Sequence, residues 1–390
     1  MSDTEKNRIA DNVSDIPFSP IRKFFDIVSE MKEAISLGIG EPDFITPWHI
    51  RSAAIQSIKD GETSYSSNAG TIELRREISR YIQDRFKLNY APEHEILVTV
   101  GASEAIDLSL RALINPGDEV IIPDPSYVSY MPNVRLVHGV PVALPTFAEH
   151  NFRITPEQLK KAITPKTKAL ILPYPNNPTG AVMLKENLEA IAPIIKEADI
   201  MVISDEIYHG LVYEGRARSI LEFTDQAFVL NGFSKRFAMT GLRLGYVIAP
   251  KTCMRALQKL QQNLFICAPS IAQQAGIAAL RYAAPDVERM RATYDERRRY
   301  MIGRLREMGF GIQVEPKGAF YIFADARKFT KDSYKFAFEV LEQAHVGITP
   351  GIDFGTGGEG YVRFSYANSL ENIREALDRL NRFLLSRGFL

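Results

Sequence analysis

Residues 231–246 read NGFSKRFAMTGLRLGY and connect two short apolar runs, AFVL at 227–230 and the run that begins at Leu244. This pattern predicts two strands joined by a charged loop. A lysine held in such a loop away from bulk water has a lowered pKa, so Lys235 is a candidate nucleophilic amine, with an ordinary surface lysine as the alternative. Arg243 can offer a planar fork to a phosphate. The stretch therefore suggests an amine that reacts with a carbonyl group beside a phosphate.

Outward from this stretch, short apolar runs alternate with amphipathic segments from Glu95 onward. The runs are EILVTV (95–100), EVIIP (119–123), KALIL (168–172), IMVIS (200–204), AFVL (227–230) and GYVIAP (245–250). Short apolar strands separated by helical stretches predict an α/β fold with a mainly parallel sheet covered on both faces. In such sheets the ligand binds beyond the carboxyl ends of the strands.

Polar or aromatic residues follow five of these strands. They are Ser103, Tyr127, Asn177, Asp205 and Lys235. Each could be an ordinary turn residue, and Ser103 could simply cap the helix that starts there. Because the carboxyl ends of parallel strands meet at one edge of the sheet, five groups of types that suit a single ligand indicate a binding site.

The ligand that these types suit is a phosphorylated pyridine aldehyde. Lys235 can form an imine, and Asp205 can keep the pyridine nitrogen protonated so that the ring accepts electrons. Asn177 and Tyr208 can donate hydrogen bonds to the phenolic oxygen, and Tyr127 offers a flat face for stacking. Four further groups at the helix start and in the charged loop can hold the phosphate: Ala102, Ser103, Ser234 and Arg243. The sequence therefore predicts pyridoxal 5′-phosphate as the cofactor.

The segment before the alternation is partly helical. We expect a short helix around 21–31 and two longer ones at 48–59 and 72–86, with Tyr65 on the polar loop between the latter two. Gly40, in the extended ISLGIGEPDF, allows a close backbone approach to a ligand, or merely a turn.

The last third of the chain has a different pattern, which predicts a smaller α+β domain. Its expected elements are a helix at 285–308, strand-like GIQVEP (311–316) and AFYIFADA (319–326), a helix at 333–344, strand YVRFSYA (361–367) and a helix at 370–386. We divide the chain into an N-terminal segment packing on the small domain (1–46), a large cofactor-binding domain (47–284) and a small domain (285–390).

Composition limits the partners. Lysine plus arginine equals aspartate plus glutamate at 47 each, so no overall field attracts nucleic acid or a membrane surface. No apolar run is long enough to span a bilayer. The two cysteines, Cys253 and Cys267, fit no metal-ligand spacing, and the scattered histidines form no metal set. We expect a cytoplasmic protein without a metal.

Five motifs, in order along the chain, together resemble class I/II aminotransferases of the aspartate aminotransferase fold type, fold type I. They are GASEA (101–105), PNNPTG (175–180), SDEIY (204–208), SK…MTG.R.GY (234–246) and YVRFSYA (361–367). The resemblance covers essentially the whole chain. It implies transfer of an amino group from an L-amino acid to a 2-oxo acid, 2-oxoglutarate being expected, in two half-reactions.

The resemblance also implies roles for the residues already singled out. Lys235 corresponds to the lysine that binds the cofactor and moves the α-proton, and the others keep the cofactor contacts given above. Tyr65 corresponds to a tyrosine that reaches the phosphate from the neighbouring subunit, which implies a homodimer with shared sites. Arg363 corresponds to the arginine that binds the substrate carboxylate, with Asn177 and the backbone near Gly40 beside it.

The amino-acid donor is left open. No lysine follows Ala102 and Ser103, and NLFICAPS (263–270) lacks the arginine of another subgroup, so an aspartate donor is in doubt against an aromatic or acetyl-diaminopimelate donor. Arg22, from the N-terminal segment, could still move into the site and bind the second carboxylate of an aspartate donor. The aromatic candidates for the pocket are Phe18, Phe24, Phe320, Tyr321 and Phe354, each of which could equally belong to the core.

Three other functions are compatible with parts of the sequence. A carbon–sulfur β-lyase would use the same lysine, aspartate and arginine. A nicotinamide dehydrogenase would need a dinucleotide fingerprint, but GTGGEG at 355–360 has no helix opening after it and is better interpreted as a loop. A regulatory protein of the same fold would carry a DNA-binding domain, for which this N-terminus has no room.

Overall fold

The computed structural model describes residues 8–14, 16, 31 and 33–390. Its strands are β1 (Ile35–Ser36), β2 (Ile96–Thr99), β3 (Glu119–Asp124), β4 (Val140–Pro145), β5 (Thr167–Leu172), β6 (Met201–Asp205), β7 (Ala227–Gly232), β8 (Gly245–Ile248), β9 (Tyr321–Asp325), β10 (Val346–Gly347), β11 (Thr349–Pro350) and β12 (Tyr361–Ser365). The six apolar runs between 95 and 250, and the runs at 319–326 and 361–367, each contain a strand, whereas β1, β4, β10 and β11 were not predicted.

The helices confirm most of the predicted bounds. They are α1 (Asp11–Ser14), α2 (Trp48–Lys59), α3 (Ile72–Phe86), α4 (Gly101–Leu113), α5 (Tyr130–Leu136), α6 (Pro156–Ala162), α7 (Lys185–Glu197), α8 (Lys251–Leu264), α9 (Ser270–Tyr282), α10 (Ala284–Glu307), α11 (Ser333–Ala344) and α12 (Leu370–Ser386). Helices α2, α3, α11 and α12 have the predicted ends, and α10 begins and ends one residue early. The predicted helix around 21–31 lies, apart from Met31, outside the described residues, as do Phe18, Arg22 and Phe24.

The central sheet has seven strands in the order β2-β8-β7-β6-β5-β3-β4. All neighbours are parallel except β8, which is antiparallel to both β7 and β2. The charged loop explains the exception: residues 233–244 contain only a short 3-10 turn, Thr240–Leu242, and lack the helical crossover that a parallel return requires. The predicted α/β fold with a mainly parallel sheet is confirmed.

Both faces of this sheet are buried, as continuous apolar strands require. Successive strand residues enter opposite hydrophobic clusters: Val202 and Val229 pack in one, and Ile203 and Leu230 in the other. The strands can therefore point polar groups to solvent only at their ends. This places the candidate site residues at the carboxyl edge.

The C-terminal third forms an antiparallel sheet in the order β11-β12-β9, and β1 pairs in parallel with β10. The predicted strand at 311–316 is wrong: only Gly311 bridges to Asp325. The following residues turn towards the PNNPTG loop, where Lys317 donates its N–H to Gly180 and Pro316 packs so closely that a Cβ on Gly180 would overlap it.

A third hydrophobic cluster is formed mainly by this C-terminal part, joined by Leu37, Tyr208 and Leu211. The division of the chain at 284/285 stays a prediction, which this separate cluster supports. Residues 355–360 contain a 3-10 turn, Thr356–Gly358, and lead into β12 rather than into a helix. This agrees with the interpretation of GTGGEG as a loop.

Within the described part of the chain, no helix is long and apolar enough to cross a membrane. Among the same residues, no group of three or more His, Cys, Asp or Glu side chains is placed to hold a metal ion.

Candidate active site

A cavity of about 720 Å³ opens at the carboxyl edge of the central sheet and is closed on the other side by β9, β12 and residues 39–41. It brings together eleven of the twelve predicted site residues: Gly40, Ala102, Ser103, Tyr127, Asn177, Asp205, Tyr208, Ser234, Lys235, Arg243 and Arg363. Tyr65 lies outside it. The volume is in the range of small-molecule sites.

Lys235 follows the end of β7 and points into this cavity. Its Nζ donates a hydrogen bond to the backbone carbonyl of Gly40 at 2.6 Å. Burial lowers the pKa of Lys235 to about 8, with Glu41 opposing that change and Arg363 adding to it. The amine is therefore easier to deprotonate than an ordinary lysine, and the backbone at Gly40 fixes its position.

Asp205, at the end of β6, is buried and hydrogen-bonded. It accepts a hydrogen bond from the Tyr130 hydroxyl at 2.8 Å and another from the N–H of Ile207 at 3.2 Å. Burial raises the pKa of Asp205, and the hydrogen bond from Tyr130 opposes that rise. A cationic ligand atom beside Asp205 would favour its ionised form.

Sequence reasoning missed Tyr130. It lies three residues after Tyr127, just beyond β3, and the two rings meet edge to face with centroids 5.5 Å apart. Because Tyr130 follows the same strand as Tyr127, its position in the sequence could have identified it as a candidate site residue. Its partner could not be read from the sequence, because Asp205 is 75 positions away.

The start of α4 and Arg243 form one end of the cavity. The backbones of Gly101 and Gly245 are in such close contact that a Cβ on Gly245 would overlap the backbone of Gly101. A Cβ on Gly101 would lie 2.9 Å from Arg243 Nη2, so the arginine lies across the start of the helix. Free N–H groups at a helix start and a guanidinium group together suit an anion.

Ser103 does not cap this helix. The helix begins at Gly101, its N-cap is Val100, and no side chain caps it there. Instead the carboxylate of Glu104 accepts a hydrogen bond from the N–H of Val100. Burial raises the pKa of Glu104 to about 7. The hydroxyl group of Ser103 is consequently not committed to capping.

Arg363 lies in the middle of β12 and is 3% exposed. It donates from Nη1 to Asn177 Oδ1 at 2.7 Å, and from Nη2 to the carbonyl of Gly38 at 2.5 Å and to Thr349 Oγ1 at 3.3 Å. Its Nε has no hydrogen-bond partner among the described residues. Burial lowers the pKa of Arg363. A buried guanidinium group with an unused donor is a ready site for a carboxylate.

Aromatic rings hold Arg363 from two sides. Its guanidinium carbon lies 4.2 Å from the ring centre of Tyr321 and 4.7 Å from that of Phe354. Both rings line the cavity, as two of the predicted aromatic candidates. Phe320, another candidate, is 0% exposed, packs against Tyr208, and does not line the cavity.

Tyr208 and Tyr321 join the two sides of the cavity. Their hydroxyl oxygens are 2.8 Å apart. Burial raises the pKa of Tyr208 well above its ordinary value, so it stays a hydrogen-bond donor at neutral pH. A Cβ on Gly40 would overlap the Tyr321 hydroxyl, which explains why a glycine is needed at this position.

Tyr65 is 81% exposed on the loop between α2 and α3. The loop is tied to residues after α8: Asn68 Nδ2 donates to the carbonyl of Ile266 at 2.6 Å, and Ser270 Oγ to that of Glu62 at 3.1 Å. The segment to which this loop is hydrogen-bonded exposes the apolar side chains of Leu264, Phe265 and Ile266. Tyr65 therefore does not line this cavity and lies exposed on the surface.

An amine of lowered pKa, a buried carboxylate and a buried arginine with an unused donor lie around one cavity, and this set of groups suits the transfer of an amino group. The model of the aminotransferase class I and II family matches residues 32–380, and the chain belongs to this family. It is an aminotransferase, which moves an amino group from an amino acid to a 2-oxo acid, as the motifs predicted.

Relatives with three different substrates resemble the chain almost equally. The aspartate aminotransferase of Pyrococcus abyssi is 44% identical over 94% of the chain and 95% of its own length. A probable N-acetyl-LL-diaminopimelate aminotransferase of Bacillus subtilis is 43% identical over 96% of the chain and 95% of its own. The crystal structure of the aromatic aminotransferase from Pyrococcus horikoshii matches with a TM-score of 0.89 and 43% identity, over 94% of the chain and 100% of that protein. Overall identity therefore does not distinguish the donor.

Proposed function

We propose that this aminotransferase uses pyridoxal 5′-phosphate and that Lys235 binds it covalently. The observation that carries the proposal is the Lys235 amine, with its pKa lowered to about 8, in one cavity with Asp205 and the start of α4. The groups present fit the cofactor's parts: free N–H groups and Arg243 for a phosphate, a buried carboxylate for a ring nitrogen. When bound, the cofactor would supply a ring that accepts electrons from the substrate's α-carbon.

The other residues of the cavity would contact the remaining parts of the cofactor. Asn177 uses its Oδ1 for Arg363, which leaves its Nδ2 to donate to the cofactor's phenolic oxygen together with the Tyr208 hydroxyl. Tyr127 would stack on the ring. The phosphate would lie against Ala102, Ser103, Ser234 and Arg243.

Lys235 would also carry the proton. Once the substrate amine has displaced it, its free amine can take the α-proton and return it to a neighbouring carbon. A pKa of about 8 suits both steps, because the amine is neither permanently protonated nor too weak a base near neutral pH. The carbonyl of Gly40, which now accepts a hydrogen bond from Nζ, can hold the protonated amine.

Arg363 would bind the substrate α-carboxylate through its unused donors. Tyr321 and Phe354 keep its planar group in one orientation. The charge of Asp353 acts on Arg363, but no described residue forms an ion pair with its guanidinium group, whose Nε has no partner, so the incoming carboxylate would compensate a buried charge. This arrangement favours every α-amino acid equally and so does not select the side chain.

We propose a broad or aromatic-leaning donor, with 2-oxoglutarate as the acceptor. The cations lining the cavity are Lys235, Arg243 and Arg363, and each already has a role. A second carboxylate would have to be buried without a partner among the described residues, which costs several kcal/mol. The remaining lining includes Ile39, Val128, Tyr321 and Phe354, which suit an apolar side chain.

A donor panel tests this proposal. The cofactor-loaded enzyme is mixed rapidly with phenylalanine, tyrosine, aspartate or N-acetyl-diaminopimelate, and the change in cofactor absorbance is followed. We expect phenylalanine and tyrosine to react at least as fast as aspartate. Aspartate reacting orders of magnitude faster would contradict the aromatic preference. Pyruvate and ammonia released from cystathionine would instead indicate the β-lyase reaction.

We also propose a homodimer in which Tyr65 reaches the partner's phosphate site. In support, Tyr65 is 81% exposed, and the segment to which its loop is hydrogen-bonded exposes the apolar side chains of Leu264, Phe265 and Ile266, which a second subunit could cover. A tyrosine can bury its ring at an interface while its hydroxyl group binds a polar atom.

Hybrid dimers test the shared site. A Tyr65→Phe subunit mixed with a Lys235→Ala subunit gives one site with both defects and one with neither, if Tyr65 crosses the interface. Activity well above that of either parent is then expected. If Tyr65 acted within its own subunit, every site would carry one defect and no recovery would occur.

We propose a cytoplasmic location, in keeping with the free thiols of Cys253 and Cys267. The balanced charge gives no reason to expect nucleic acid as a partner.

A further inference from the structure

Tyr321 contacts the groups proposed for both the cofactor and the substrate. Its hydroxyl oxygen is 2.8 Å from that of Tyr208, and its ring lies against the guanidinium group of Arg363 at 4.2 Å. Both tyrosines are buried, at 1% and 6% exposure, so water does not compete for their bond. Loss of the hydrogen bond between the two hydroxyl groups would therefore leave a buried hydroxyl group without a partner, which destabilises the protein.

We infer that Tyr321 is a positioning residue for the cofactor: its hydroxyl group donates to Tyr208 and strengthens the hydrogen bond that Tyr208 gives to the cofactor's phenolic oxygen. This inference rests on the proposed function, in which Tyr208 contacts that oxygen.

The direction of the bond follows from the donor count. A tyrosine has one O–H group, and Tyr208 would use its own for the cofactor. The Tyr208 oxygen then remains an acceptor, and the Tyr321 hydroxyl is placed to donate to it. Hydrogen bonds in such a chain polarise and strengthen one another.

Arg363 makes Tyr321 a better donor. Burial raises the pKa of Tyr321, and the positive charge of Arg363 opposes that rise. The cation thus pulls electron density from the phenol ring and makes its O–H group more acidic. The Tyr321 ring transmits the effect of a buried charge to a hydroxyl group that faces the cofactor side.

The backbone at Gly40 keeps the hydroxyl group in place. A Cβ there would overlap the Tyr321 hydroxyl oxygen, so this atom packs directly on the glycine. The carbonyl of the same residue accepts the hydrogen bond from Lys235 at 2.6 Å. One backbone segment therefore fixes both the lysine amine and the donor behind Tyr208.

The test is a pH titration of the absorbance of the cofactor-loaded enzyme. Donors to the phenolic oxygen favour its fully anionic form and hold the midpoint of the titration low. Tyr321→Phe should raise the midpoint by about 0.3–0.7 pH unit, the size expected for weakening one hydrogen bond. The phenylalanine ring keeps the contact with Arg363, so the midpoint reports on the lost hydroxyl group rather than on the ring.

Tyr208→Phe and the double variant separate the inference from the proposed function. Tyr208→Phe should raise the midpoint further than Tyr321→Phe, and adding Tyr321→Phe to it should change nothing more, because the chain is already broken. If Tyr208→Phe shifts the midpoint but Tyr321→Phe does not, the inference is overturned and the proposed function stands. If Tyr208→Phe has no effect, the proposed role of Tyr208 fails and the inference with it.

Tyr366→Phe is the matched control. Tyr366 is 0% exposed, and its hydroxyl group donates to the carbonyl of Ala319 at 3.2 Å, away from the cavity. It should leave the midpoint unchanged. If Tyr321→Phe raised KM without shifting the midpoint, Tyr321 would act only on Arg363 and not on Tyr208. This result would contradict the inference. Melting curves of all variants check that each one is folded.

Discussion

The two walls of the cavity differ in how the chain builds them. The sheet-edge wall consists of Ala102, Ser103, Asp205, Ser234, Lys235 and Arg243, which follow strands of the central sheet or the start of α4. The arginine wall consists of Gly40, Tyr321, Phe354 and Arg363, which come from the segment before α2, from β9, from the 3-10 turn Gly351–Phe354 and from β12. The first wall carries the groups proposed for the cofactor, and the second carries one buried cation between aromatic rings. In the proposed function, the sheet edge would hold the cofactor, which is the same in both half-reactions, and the arginine wall would face the substrates, which differ between them.

Replacing Lys235 breaks the sheet-edge wall and should have the largest effect. Lys235→Ala removes both the covalent attachment and the proton carrier, so we expect kcat/KM to fall by about 10³-fold or more. Some cofactor should remain bound without a covalent link, because the other contacts of that wall are intact. The exposed Lys160 provides the control, since Lys160→Ala should leave both properties unchanged. Wild-type turnover by Lys235→Ala would remove the lysine from the mechanism.

Replacing Arg363 breaks the opposite wall and should leave the cofactor alone. Arg363→Lys loses the two-pronged geometry for a carboxylate, and kcat/KM should fall by about 10- to 100-fold for every amino acid tested. The absorbance spectrum of the bound cofactor should not change.

Arg299→Lys is the matched control, because Arg299 pairs with Asp295 on the surface. It should behave as the unchanged enzyme. Normal kinetics for Arg363→Lys would move carboxylate recognition to another residue.

The local strand pattern predicts the sheet-edge wall, whereas the arginine wall was predicted in other ways. Gly40 and Arg363 came from the family resemblance, and Tyr321 and Phe354 were aromatic candidates that could equally have belonged to the core. Lys235 and Asp205 each follow a continuous apolar strand, so local sequence alone places them at one edge. Tyr130 was missed because its partner, Asp205, is far along the chain. The predicted strand at 311–316 was wrong because contacts with Gly180, rather than its own pattern, decide its path. Long-range packing carries this information, and no short motif contains it.

The pH dependence of cofactor uptake tests whether the pKa of Lys235 is lower than that of an ordinary lysine. Only the neutral amine reacts, and burial lowers the pKa of Lys235 to about 8. The rate at which the cofactor-free protein takes up pyridoxal 5′-phosphate should rise with pH up to about 8 and then level off. With a lysine of ordinary pKa, the uptake rate would continue to rise up to about pH 10.4. Stopped-flow absorbance measures this rate, and continued acceleration well above pH 8 would contradict the lowered pKa.

Two glycine-to-alanine substitutions, with opposite expected effects on stability, test the packing of the arginine wall. Gly40→Ala places a Cβ against the Tyr321 hydroxyl and should lower the stability by about 1–3 kcal/mol. Gly303→Ala lies inside α10 with nothing within 4 Å of the new Cβ and should raise it by up to about 1 kcal/mol. Denaturant unfolding compares the two. Equal effects would show that the packing at Gly40 has no consequence.

Covalent labelling tests the central claim, that Lys235 binds the cofactor, most directly. The wild-type enzyme is loaded with pyridoxal 5′-phosphate, reduced with borohydride, digested and analysed by mass spectrometry. We expect one modified peptide, with the label on Lys235, and none in the Lys235→Ala variant. A label on a different lysine, or no label at all in the wild-type enzyme, would contradict that claim.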